Sequence, residues 1–410
     1  MSGILFLAHR VPFPPDRGDK IRSHHVLKAL TELGPVHVGC FAESASDRAA
    51  ETELARIAAT WCMPRRSKPL SLAGLEAIVR REPVSLAAFR HPALARWVTR
   101  TVEREGIDTI YVFSGQMGQY VPEGWSGRLL VDLVDVDSAK FEAYAREKPV
   151  PGKWIDAREA RLLAQEEARL AERADRTLLV SDAEAELLKS RLPAGLSPRV
   201  VALGNGIDAE TFDPASVEPH PALSERGPHF VFTGQMDYKP NIDAAVRAIR
   251  QVMPRIRATY PQARFHVVGR APVRELVACH GVDGTHVWGE VPDVRPFLAA
   301  ADVILAPLAI ARGVQNKVLE AMAMARPTLV TNAVATGLPG KPGEHFAVAD
   351  GGDALAWSAL DLLADSKRAE AMGQAARRLV VESLSWQAML ASLPEHLGRA
   401  CSSIERRDAA

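Results

Sequence analysis

Short, continuous apolar runs recur along this chain, and no other feature of the sequence restricts its fold as much. The runs occupy residues 4–9, 36–42, 109–113, 128–135, 177–182 and 201–205 in the first half, and residues 229–234, 264–269, 285–291, 302–308, 327–332 and 345–350 in the second. Strands that are apolar throughout, rather than at alternate positions, are typical of parallel sheets with helices on both faces. Because helical stretches separate the runs, we predict an α/β fold built from doubly wound parallel sheets.

The runs form two series, and the segment between them marks a domain boundary. Residues 205–228 are rich in Pro, Asp and Ser and have no clear apolar periodicity, as expected of a linker. A chain of 410 residues also exceeds what one hydrophobic core usually organises. We therefore predict two Rossmann-like domains, residues 1–205 and 206–384, that face a cleft. The helical segment 385–410 has no strand after it, and we predict that it packs back on the first domain.

The charge balance and the cysteines exclude several classes of protein. Lys plus Arg and Asp plus Glu both number 50, so the chain lacks an overall positive field and no nucleic-acid partner is expected. The four cysteines have neither metal-site nor disulfide spacing, which favours reduced thiols in a cytoplasmic protein. No apolar stretch approaches the ~20 residues that span a bilayer. The N-terminal run has no basic segment before it and is read as a first strand, not a signal peptide.

The segment RGVQNKVLEAMAMARP, residues 312–327, follows one of the apolar runs and carries a Lys and a Glu in apolar surroundings. We predict a loop ending at Gly313 and then a helix over 314–325, with Val314, Val318, Met322 and Ala325 on its packed face. The helix would begin at the carboxyl end of a parallel strand, where its free N–H groups favour an anion. Glu320 would lie roughly 9 Å along the axis, a distance that suits a phosphate at the helix end and a ribose at the carboxylate. A surface pair of Lys317 and Glu320 is the alternative.

Two further loops connect a strand to a helix. In residues 232–249, Gly234 permits close approach of the backbone to a ligand, and Lys239 can place a positive charge on a diphosphate. A plain strand–turn–helix corner is the alternative there. In residues 9–30, a proline-rich loop closes at Gly18 before a helix. The GxGxxG fingerprint is missing from the first strand–helix turn, which disfavours an NAD-dependent enzyme.

Three acids, Asp132, Asp135 and Asp137, come at the end of the run 128–135. Carboxylates clustered in this way suggest either metal binding or acid–base chemistry. The alternative for Asp137 is a helix N-cap, a role that Ser138 could also fill.

The chain resembles a known family at several of these motifs. GQMDYKPNIDA, HVVGRAP, GEVPDVRPFLAAADVILAPL and GVQNKVLEAMAMARPTLVT, in this order, resemble the C-terminal domain of GT-B-fold glycosyltransferases of family 4, the group 1 sugar transferases. VSDAEAELL and LGNGIDAETFDP resemble that family's interdomain region. The start, LAHRVPFPPDRGDKIRSHHVLKAL, with LVDLVDVDSAKF, looks most like the branch associated with exopolysaccharide and exosortase (PEP-CTERM) gene clusters.

The resemblance implies a reaction and a set of site residues. The family transfers a sugar from a nucleotide diphosphate, here a UDP- or GDP-sugar, to an acceptor hydroxyl with retention and usually without a required metal or other cofactor. The first domain would hold the acceptor and the second the donor. Asp135, Lys239 and Arg312 are assigned to the reaction centre. The donor-binding set is Gly18, Gly234, Gln235, Lys239, Gly269, Arg270, Gly313, Val314, Asn316, Lys317 and Glu320, with Glu320 on the ribose and Gly269 and Arg270 near the nucleobase.

Two residues depart from the family pattern. The family's E-x7-E signature places its first Glu eight residues before Glu320, and that position is Arg312. Gln235 stands where many relatives have an Arg on the diphosphate. The positive charge is therefore expected to come from Arg312, Lys317 and Lys239. Because Arg312 and Gln235 alter the reaction centre, a nucleotide-sugar 2-epimerase and a non-catalytic nucleotide-sugar binding protein stay open as alternatives.

Two charged regions complete the sequence picture. Residues 61–105 contain nine Lys or Arg and four Asp or Glu, interleaved with apolar residues. This pattern favours basic amphipathic helices on an anionic membrane surface, with solvated helix faces as the alternative. We hypothesise peripheral contact with the inner membrane and a glycan or lipid-linked acceptor. Residues 156–175 predict a charged, solvated helix.

Overall fold

The computed structural model describes residues 3–311 and 314–399 and divides the chain into two units. Unit 1 comprises the residues up to Asn205 together with the segment that starts at Met389. Unit 2 comprises Gly206–Ala388. In neither described range is there a helix long and apolar enough to cross a membrane.

Unit 1 is built on a parallel sheet that has seven strands within the described residues, in the order β3-β2-β1-β4-β5-β6-β7. The strands are β1 (Gly3–Ala8), β2 (Val36–Gly39), β3 (Thr60–Cys62), β4 (Ile107–Phe113), β5 (Arg128–Val134), β6 (Arg176–Leu179) and β7 (Val200–Ala202). The helices before unit 2 are α1 (Gly18–Thr31), α2 (Ala45–Ala49), α3 (Glu51–Ile57), α4 (Leu70–Arg80), α5 (Val84–Ala88), α6 (Pro92–Arg104), α7 (Asp137–Glu147), α8 (Gly152–Arg173) and α9 (Asp182–Lys189).

Unit 2 repeats this arrangement with six parallel strands among its described residues, in the order β10-β9-β8-β11-β12-β13. They are β8 (His229–Thr233), β9 (Arg264–Val268), β10 (Thr285–Gly289), β11 (Val303–Ala306), β12 (Thr328–Val330) and β13 (Ala347–Val348). The helices are α10 (Lys239–Arg247), α11 (Met253–Thr259), α12 (Arg274–Val277), α13 (Arg295–Ala300), α14 (Asn316–Ala323), α15 (Asn332–Ala335), α16 (Gly352–Ala364), α17 (Ser366–Leu379) and α18 (Trp386–Met389).

The chain then returns to unit 1 with α19 (Leu393–His396). Arg128 Nε and Nη2 donate to the carbonyl oxygen of His396 at 3.1 and 2.9 Å. Arg399 donates to the carbonyl oxygen of Leu33 and to Asp108 Oδ1, at 2.5 and 2.9 Å. These bonds attach the described part of the C-terminal segment to unit 1.

Both sheets have the strand order of a doubly wound fold, so the predicted fold class is confirmed. The central strands are buried along their length, as in β1 and β8, because helices cover both faces. The sequence reading missed β3, which pairs with β2 at the edge of the sheet and is only half-buried. Three half-buried residues are too few to give a continuous apolar run.

In each sheet the strand order reverses between two neighbouring strands, β1 and β4 in unit 1 and β8 and β11 in unit 2. The loops that leave the carboxyl ends of these strands therefore diverge and open a crevice. The residues that follow them are His9 and Ser114 in unit 1, and Gly234 and Pro307 in unit 2. The candidate sites lie at these ends.

A charged pair holds the centre of unit 1 together. Arg22 of α1 and Asp132 of β5 are completely buried, and Arg22 Nε donates to Asp132 Oδ2 at 2.9 Å. Tyr111 donates its hydroxyl to the same oxygen at 2.8 Å. Arg22 Nη1 also donates to the Leu203 carbonyl oxygen at 2.8 Å and to Asn205 Oδ1 at 3.1 Å. This network fixes the last residues of unit 1 before the chain enters unit 2, and it pairs two charges that would be costly to bury alone.

Helix α8 is more buried than its charged sequence predicts. Glu159 accepts hydrogen bonds from the backbone N–H groups of Val84 and Ser85 at the start of α5, at 2.9 and 3.2 Å. Glu167 accepts from the N–H and the hydroxyl of Ser138, at 2.9 and 2.6 Å, and burial raises the pKa of its carboxyl to about 7. The prediction of a solvated helix is wrong for this face, because its acids serve as buried caps for neighbouring helices.

At the edge of unit 2, one indole and two imidazoles form a hydrogen-bonded chain. Trp288 Nε1 donates to His266 Nδ1 at 3.2 Å, because an indole N–H can only donate. His266 must then carry its proton on Nε2 and donate to His229 Nδ1 at 3.0 Å. His229 Nε2 in turn donates to the carbonyl oxygen of Glu225 at 3.0 Å. Burial and the nearby imidazoles lower the pKa of His266 to about 3, so His266 is neutral at pH 7.

Candidate functional site

Two glycines bring the carboxyl ends of β8 and β9 together. Gly234 follows β8 and Gly269 follows β9, with φ angles of +154° and +150° that L side chains rarely adopt. A Cβ on Gly269 would overlap the carbonyl oxygen of Gly234, so the two backbones could not meet with any larger residue there. A Cβ on Gly234 would lie 3.1 Å from Lys317 Nζ. The N–H groups of Gly234 and Gly269 bond to the carbonyl oxygens of Val268 and Gly289, so the close approach leaves room for one cation beside the two turns.

That cation is Lys317, in the first turn of α14. Its ammonium donates to Asn241 Oδ1 and lies 5.1 Å from the centroid of the Phe232 ring. Asn241 is buried on α10, and its Nδ2 donates to the Gln235 carbonyl oxygen at 2.9 Å. One amide therefore connects the loop after β8 to the lysine of a separate helix. Gly234, Gln235, Asn241, Gly269, Arg270 and Lys317 are called the Gly234 cluster below.

Burial shifts the charges of Lys317 and Glu320 towards neutrality. It lowers the pKa of Lys317 to about 8, although the carboxylate of Glu320 acts in the opposite direction. Burial also raises the pKa of Glu320, and the charge of Lys317 opposes that shift. Both residues are half-buried and Lys317 bonds to Asn241, so they are not a fully solvated pair. A partly desolvated ammonium ion gains more from an anionic ligand than an exposed one does.

The side chain of Gln235 holds a second cation. With its amide oriented to satisfy both partners, Gln235 Oε1 accepts from Arg270 Nε at 2.7 Å and also from Arg270 Nη2. The N–H of Met236 donates to the carbonyl oxygen of Arg270 at 2.9 Å, which fixes the loop after β9. Arg270 itself is exposed. The residue that departs from the family pattern thus orients an arginine beside the two glycines.

The helix of the 312–327 motif is shorter than predicted. Helix α14 spans Asn316–Ala323, and Ala325 has a φ of +54°, outside the helix. Val314 precedes the helix and is half-exposed, whereas Val318 and Met322 are buried as predicted. The boundary moves because the chain must turn at Ala325 to enter Pro327 and β12. Asn316 is the first residue of α14 and is exposed. Arg312 and Gly313, to which the sequence assigned roles in catalysis and binding, lie outside the described residues.

Lys239 is placed differently from the other cations. It begins α10, but its ammonium pairs with Asp243 one turn along the same helix and its side chain is 78 % exposed. Among the described residues, the ammonium of Lys239 forms no hydrogen bond or ion pair with the Gly234 cluster. The positive charge beside the two glycines therefore comes from Lys317 and Arg270.

In unit 1 a cavity of about 290 Å³ opens at the carboxyl ends of β1, β4 and β5. It is called the unit 1 pocket, and its polar lining consists of His9, Arg10, Asp19, Ser114, Gln116, Asp135, Asp137 and Lys140. Burial raises the pKa of Asp135, and the negative charges of Glu184 and Asp137 add to the effect. Burial likewise raises the pKa of Asp137, against the opposing charge of Lys140. Carboxyl groups with raised pKa values in a cavity are suited to proton transfer or to binding sugar hydroxyls.

His9 is a pocket residue that the sequence reading did not single out. Its Nε2 lies 3.2 Å from Asp19 Oδ2, and its ring stacks on Phe113 with centroids 5.8 Å apart. Burial by itself would raise the pKa of Asp19, but hydrogen bonds from His9 and Arg10 lower that pKa well below its ordinary range. His9 Nδ1 is buried and has no hydrogen-bond partner within the described residues. The imidazole therefore offers one polar atom to a ligand.

Two predicted residues of unit 1 have plainer surroundings. Asp132, which the sequence grouped with Asp135 and Asp137, accepts hydrogen bonds from Arg22 and Tyr111. The three acids therefore do not act as one cluster. No group of His, Cys, Asp or Glu within residues 3–311 and 314–399 is arranged to hold a metal ion. Gly18 begins α1, and no heavy atom lies within 4 Å of the Cβ position that it leaves empty.

Solved structures with the same architecture cover nearly the whole chain. The HepE protein of Anabaena, crystallised with UDP and glucose, superposes with a TM-score of 0.60 at 16% identity, over 98% of this chain and 100% of that chain. A glycosyltransferase of Rickettsia africae gives a TM-score of 0.61 at 14% identity, over 97% of both chains. The chain has the GT-B fold. Sucrose-phosphate synthase of Thermosynechococcus elongatus gives a TM-score of 0.56 at 16% identity, over 96% of this chain and 98% of that chain.

A family model adds information about unit 2 of this GT-B chain. Residues 227–365 match the family described as glycosyl transferases group 1. The matched segment contains the whole Gly234 cluster together with Glu320. No curated protein matches the sequence.

Proposed function

We propose that this protein is a retaining glycosyltransferase that moves a sugar from a UDP- or GDP-sugar to an acceptor hydroxyl. The observation that carries the proposal is the Gly234 cluster, which lies inside the segment matched by the group 1 glycosyl transferase family. A GT-B relative of the same fold is described in complex with UDP and with UDP-glucose. A cavity lined by carboxyl groups in unit 1 supplies the second half of such a reaction.

Unit 2 is proposed to bind the nucleotide diphosphate. Gly234 and Gly269 keep side chains out of the space that the phosphates would take, and Lys317 and Arg270 supply positive charge. When the sugar–phosphate bond breaks, negative charge grows on the leaving diphosphate, and cations held in advance stabilise it. Glu320 lies one turn beyond Lys317 on α14 and would accept hydrogen bonds from the ribose hydroxyls.

Unit 1 is proposed to bind the reacting sugar and the acceptor. Asp135 and His9 present polar atoms to the unit 1 pocket, and the lining ring of Phe113 gives a sugar face an apolar surface. Arg312 is proposed to act on the donor as the sequence suggests, since it occupies the place of the family's first Glu. Lys239 would join the diphosphate only if it leaves Asp243.

The biological setting follows from the N-terminal resemblance. The motif at residues 9–30 supports a role in bacterial exopolysaccharide or cell-surface glycan synthesis, in the exosortase-associated branch. We place the activity in the cytoplasm, with a glycan or lipid-linked molecule as acceptor. We also propose that no metal is required, because Lys317 and Arg270 provide the charge that a divalent cation would otherwise supply.

Calorimetric titration of UDP, GDP and ADP into the metal-free protein tests the proposal. Selective binding of one diphosphate, lost in Lys317→Ala but kept in Lys239→Ala, is the expected result. Lys239→Ala is the matched control because its side chain is exposed and paired with Asp243. Turnover of the corresponding nucleotide-sugar should then proceed in EDTA. Binding of no diphosphate would exclude the donor site, and a change of sugar configuration without transfer would indicate an epimerase.

A further inference from the structure

Helix α4 of unit 1 is packed with its small side chains inward and its large apolar side chains outward. Ala73 and Ala77 are buried against Ala87 and Ala88 of the α5 region. Leu72, Leu75, Ile78 and Val79 point to solvent, with exposed fractions of 56 to 83 %. Their spacing places them on one side of the helix. An amphipathic helix of a folded protein ordinarily shows the reverse arrangement, because burying the larger side chains removes more apolar area from water.

The first turn of α8 extends this apolar surface. Trp154 and Ile155 are 68 and 60 % exposed. Arg158, one turn after Trp154, donates to the carbonyl oxygen of Ala77 on α4 at 2.8 Å. Glu159, one turn after Ile155, caps the start of α5. These bonds hold the start of α8 beside α4. The exposed side chains Leu72, Leu75, Ile78, Val79, Trp154 and Ile155 are called the α4–α8 face below.

A basic cavity of about 330 Å³ adjoins α4. Its charged lining is Arg65, Arg66, Lys68, Glu76 and Arg90, with the imidazole of His91 beside them, and it is called the basic pocket below. Lys68 and Arg90 both bond to Glu76, and Arg90 also pairs with Glu82, while Arg66 pairs with Glu43. The side chain of Arg65 is exposed and has no ionic or hydrogen-bonded partner within the described residues. Four cations face three acids, so the excess is one positive charge, and Arg65 is the cation without an acidic partner.

The basic pocket and the unit 1 pocket share a wall. Phe41 lines the basic pocket and Phe89 lines the unit 1 pocket, and their rings pack edge to face with centroids 5.6 Å apart. Arg66 of the basic pocket lies 5.1 Å over the Phe89 ring. An apolar surface, a cationic cavity and a carboxyl-lined cavity thus follow one another across unit 1.

We propose that unit 1 docks on an anionic lipid bilayer and takes a membrane-embedded amphiphile as its acceptor. The hydrocarbon part contacts the α4–α8 face, a phosphate or diphosphate head enters the basic pocket, and the hydroxyl to be glycosylated reaches the unit 1 pocket. Only this last element rests on the proposed transferase function. The order of the surfaces matches the order of the chemical parts along such a molecule, from tail to charged head to sugar.

The charge of the region identifies lipid, in preference to a protein, as the occupant. Cationic groups beside exposed apolar side chains match an interface at which anionic headgroups lie above hydrocarbon. Trp154 is a residue type that membrane interfaces favour, because its ring is apolar and its N–H is polar.

Vesicle co-sedimentation of the full chain tests the proposal with phosphatidylglycerol–phosphatidylcholine vesicles and with vesicles of phosphatidylcholine alone. We expect binding to the anionic vesicles only, weakened at least ~fivefold when NaCl is raised from about 0.05 to about 0.5 M. Leu75→Ser with Val79→Ser should reduce binding at least ~tenfold, since two apolar side chains no longer enter the interface. Arg65→Glu should also reduce vesicle binding, and the reduction should be larger for vesicles that contain more phosphatidylglycerol.

Matched controls come from unit 2. Trp357→Ser removes an apolar side chain that is 72 % exposed, and Arg378→Glu reverses an exposed charge, so both should leave vesicle binding unchanged. Equal losses in these controls, or no binding by the unaltered protein at low salt, would overturn the proposal. The proposal would also be overturned if millimolar inorganic phosphate displaced the protein from the vesicles while the serine substitutions left vesicle binding unchanged. That result would identify the basic pocket as a site for a soluble anion.

Nucleotide binding separates the two proposals. The α4 variants should keep their affinity for UDP, because the altered side chains are exposed on unit 1 and the Gly234 cluster belongs to unit 2. Vesicle binding without diphosphate binding would contradict the transferase function alone. Diphosphate binding without vesicle binding would contradict the bilayer proposal alone.

Discussion

Lys317 donates a hydrogen bond from its ammonium to Asn241 Oδ1, a contact that joins α14 to α10 beneath two glycines. The bond holds a half-buried cation whose pKa is lowered by desolvation to about 8, below its ordinary value of 10.5. The protonated form is the one that attracts a diphosphate, and burial makes this proton leave at a lower pH. Affinity for UDP should therefore fall above pH 8, by up to about tenfold per pH unit, since one proton is linked to binding.

Lys317→Arg is the control for this pH dependence. An arginine keeps its charge at every accessible pH, so the variant should bind UDP with a flat profile between pH 7 and about 9.5. Titration calorimetry at matched ionic strength measures both profiles. An unchanged slope in the arginine variant would assign the titration to another group.

Glu320 is predicted to contact the ribose. Glu320→Ala should weaken UDP binding by more than about tenfold, because a hydrogen bond to a charged group contributes roughly 1.5–3 kcal/mol. The sharper measurement compares UDP with 2′-deoxy-UDP. The unaltered protein should prefer UDP, and the alanine variant should bind the two ligands almost equally. A preference that survives the substitution would remove Glu320 from the ribose.

Asp135 is predicted to act in transfer and not in nucleotide binding. Asp135→Asn should lower the transfer rate by at least ~100-fold, within the range that general acid–base groups contribute. UDP affinity should stay unchanged, because Asp135 belongs to unit 1 and the Gly234 cluster to unit 2. Steady-state kinetics and calorimetry on the same preparation separate the two effects. Equal loss in both would point to a structural role.

Gly269 and Gly18 should respond in opposite ways to an added methyl group. Gly269→Ala forces a strained φ and an overlap with the Gly234 carbonyl oxygen, so the free energy of unfolding should fall by at least about 2 kcal/mol. Gly18→Ala meets no atom within 4 Å and should leave stability nearly unchanged. Urea denaturation measures both. If Gly18→Ala nevertheless impairs donor turnover, the glycine serves a ligand and not the fold.

Glu167 should make stability depend on pH near neutrality. Burial raises its folded-state pKa to about 7 from 4.5, so the folded protein holds a proton that the unfolded chain releases between these values. Its contribution therefore falls by up to about 1.4 kcal/mol per pH unit above 4.5, levelling off beyond 7. Glu167→Gln has no titrating group, and its amide can accept from the Ser138 N–H and donate to the Ser138 hydroxyl. The stability of this variant relative to the unaltered protein should therefore be greater at pH 8 than at pH 4.5. Urea midpoints at the two values measure the difference.

The sequence alone predicts the fold well, and the reason is visible in the strands. Strands such as β1 and β8 are buried on both faces, so they leave uninterrupted apolar runs that can be read without coordinates. The edge strand β3 leaves none. The end of α14 was placed two residues late because Ala325 is a good helix former, and its left-handed conformation is imposed by the turn into β12.

The candidate site is harder to predict from the sequence than the fold is. Gly234, Gly269 and Lys317 can be named from their places after strands, but their contacts depend on side-chain directions that no spacing encodes. Asn241 and His9 were missed because a lone amide and a lone imidazole carry no pattern. Lys239 and Asp132 were assigned on charge and position, and the structure pairs them with Asp243 and Arg22 instead.

The chain from Trp288 through His266 and His229 to the Glu225 carbonyl has a direction, because each member can donate only if the one before it donates. The Glu225 carbonyl oxygen can only accept, so both ends of the chain impose the same tautomer on each imidazole. Replacing Trp288 by phenylalanine would preserve an aromatic ring and the Glu225 end of the chain, but it would leave His266 Nδ1 without its donor. This sheet edge would then keep one arrangement of protons and lose the free energy of one satisfied hydrogen bond.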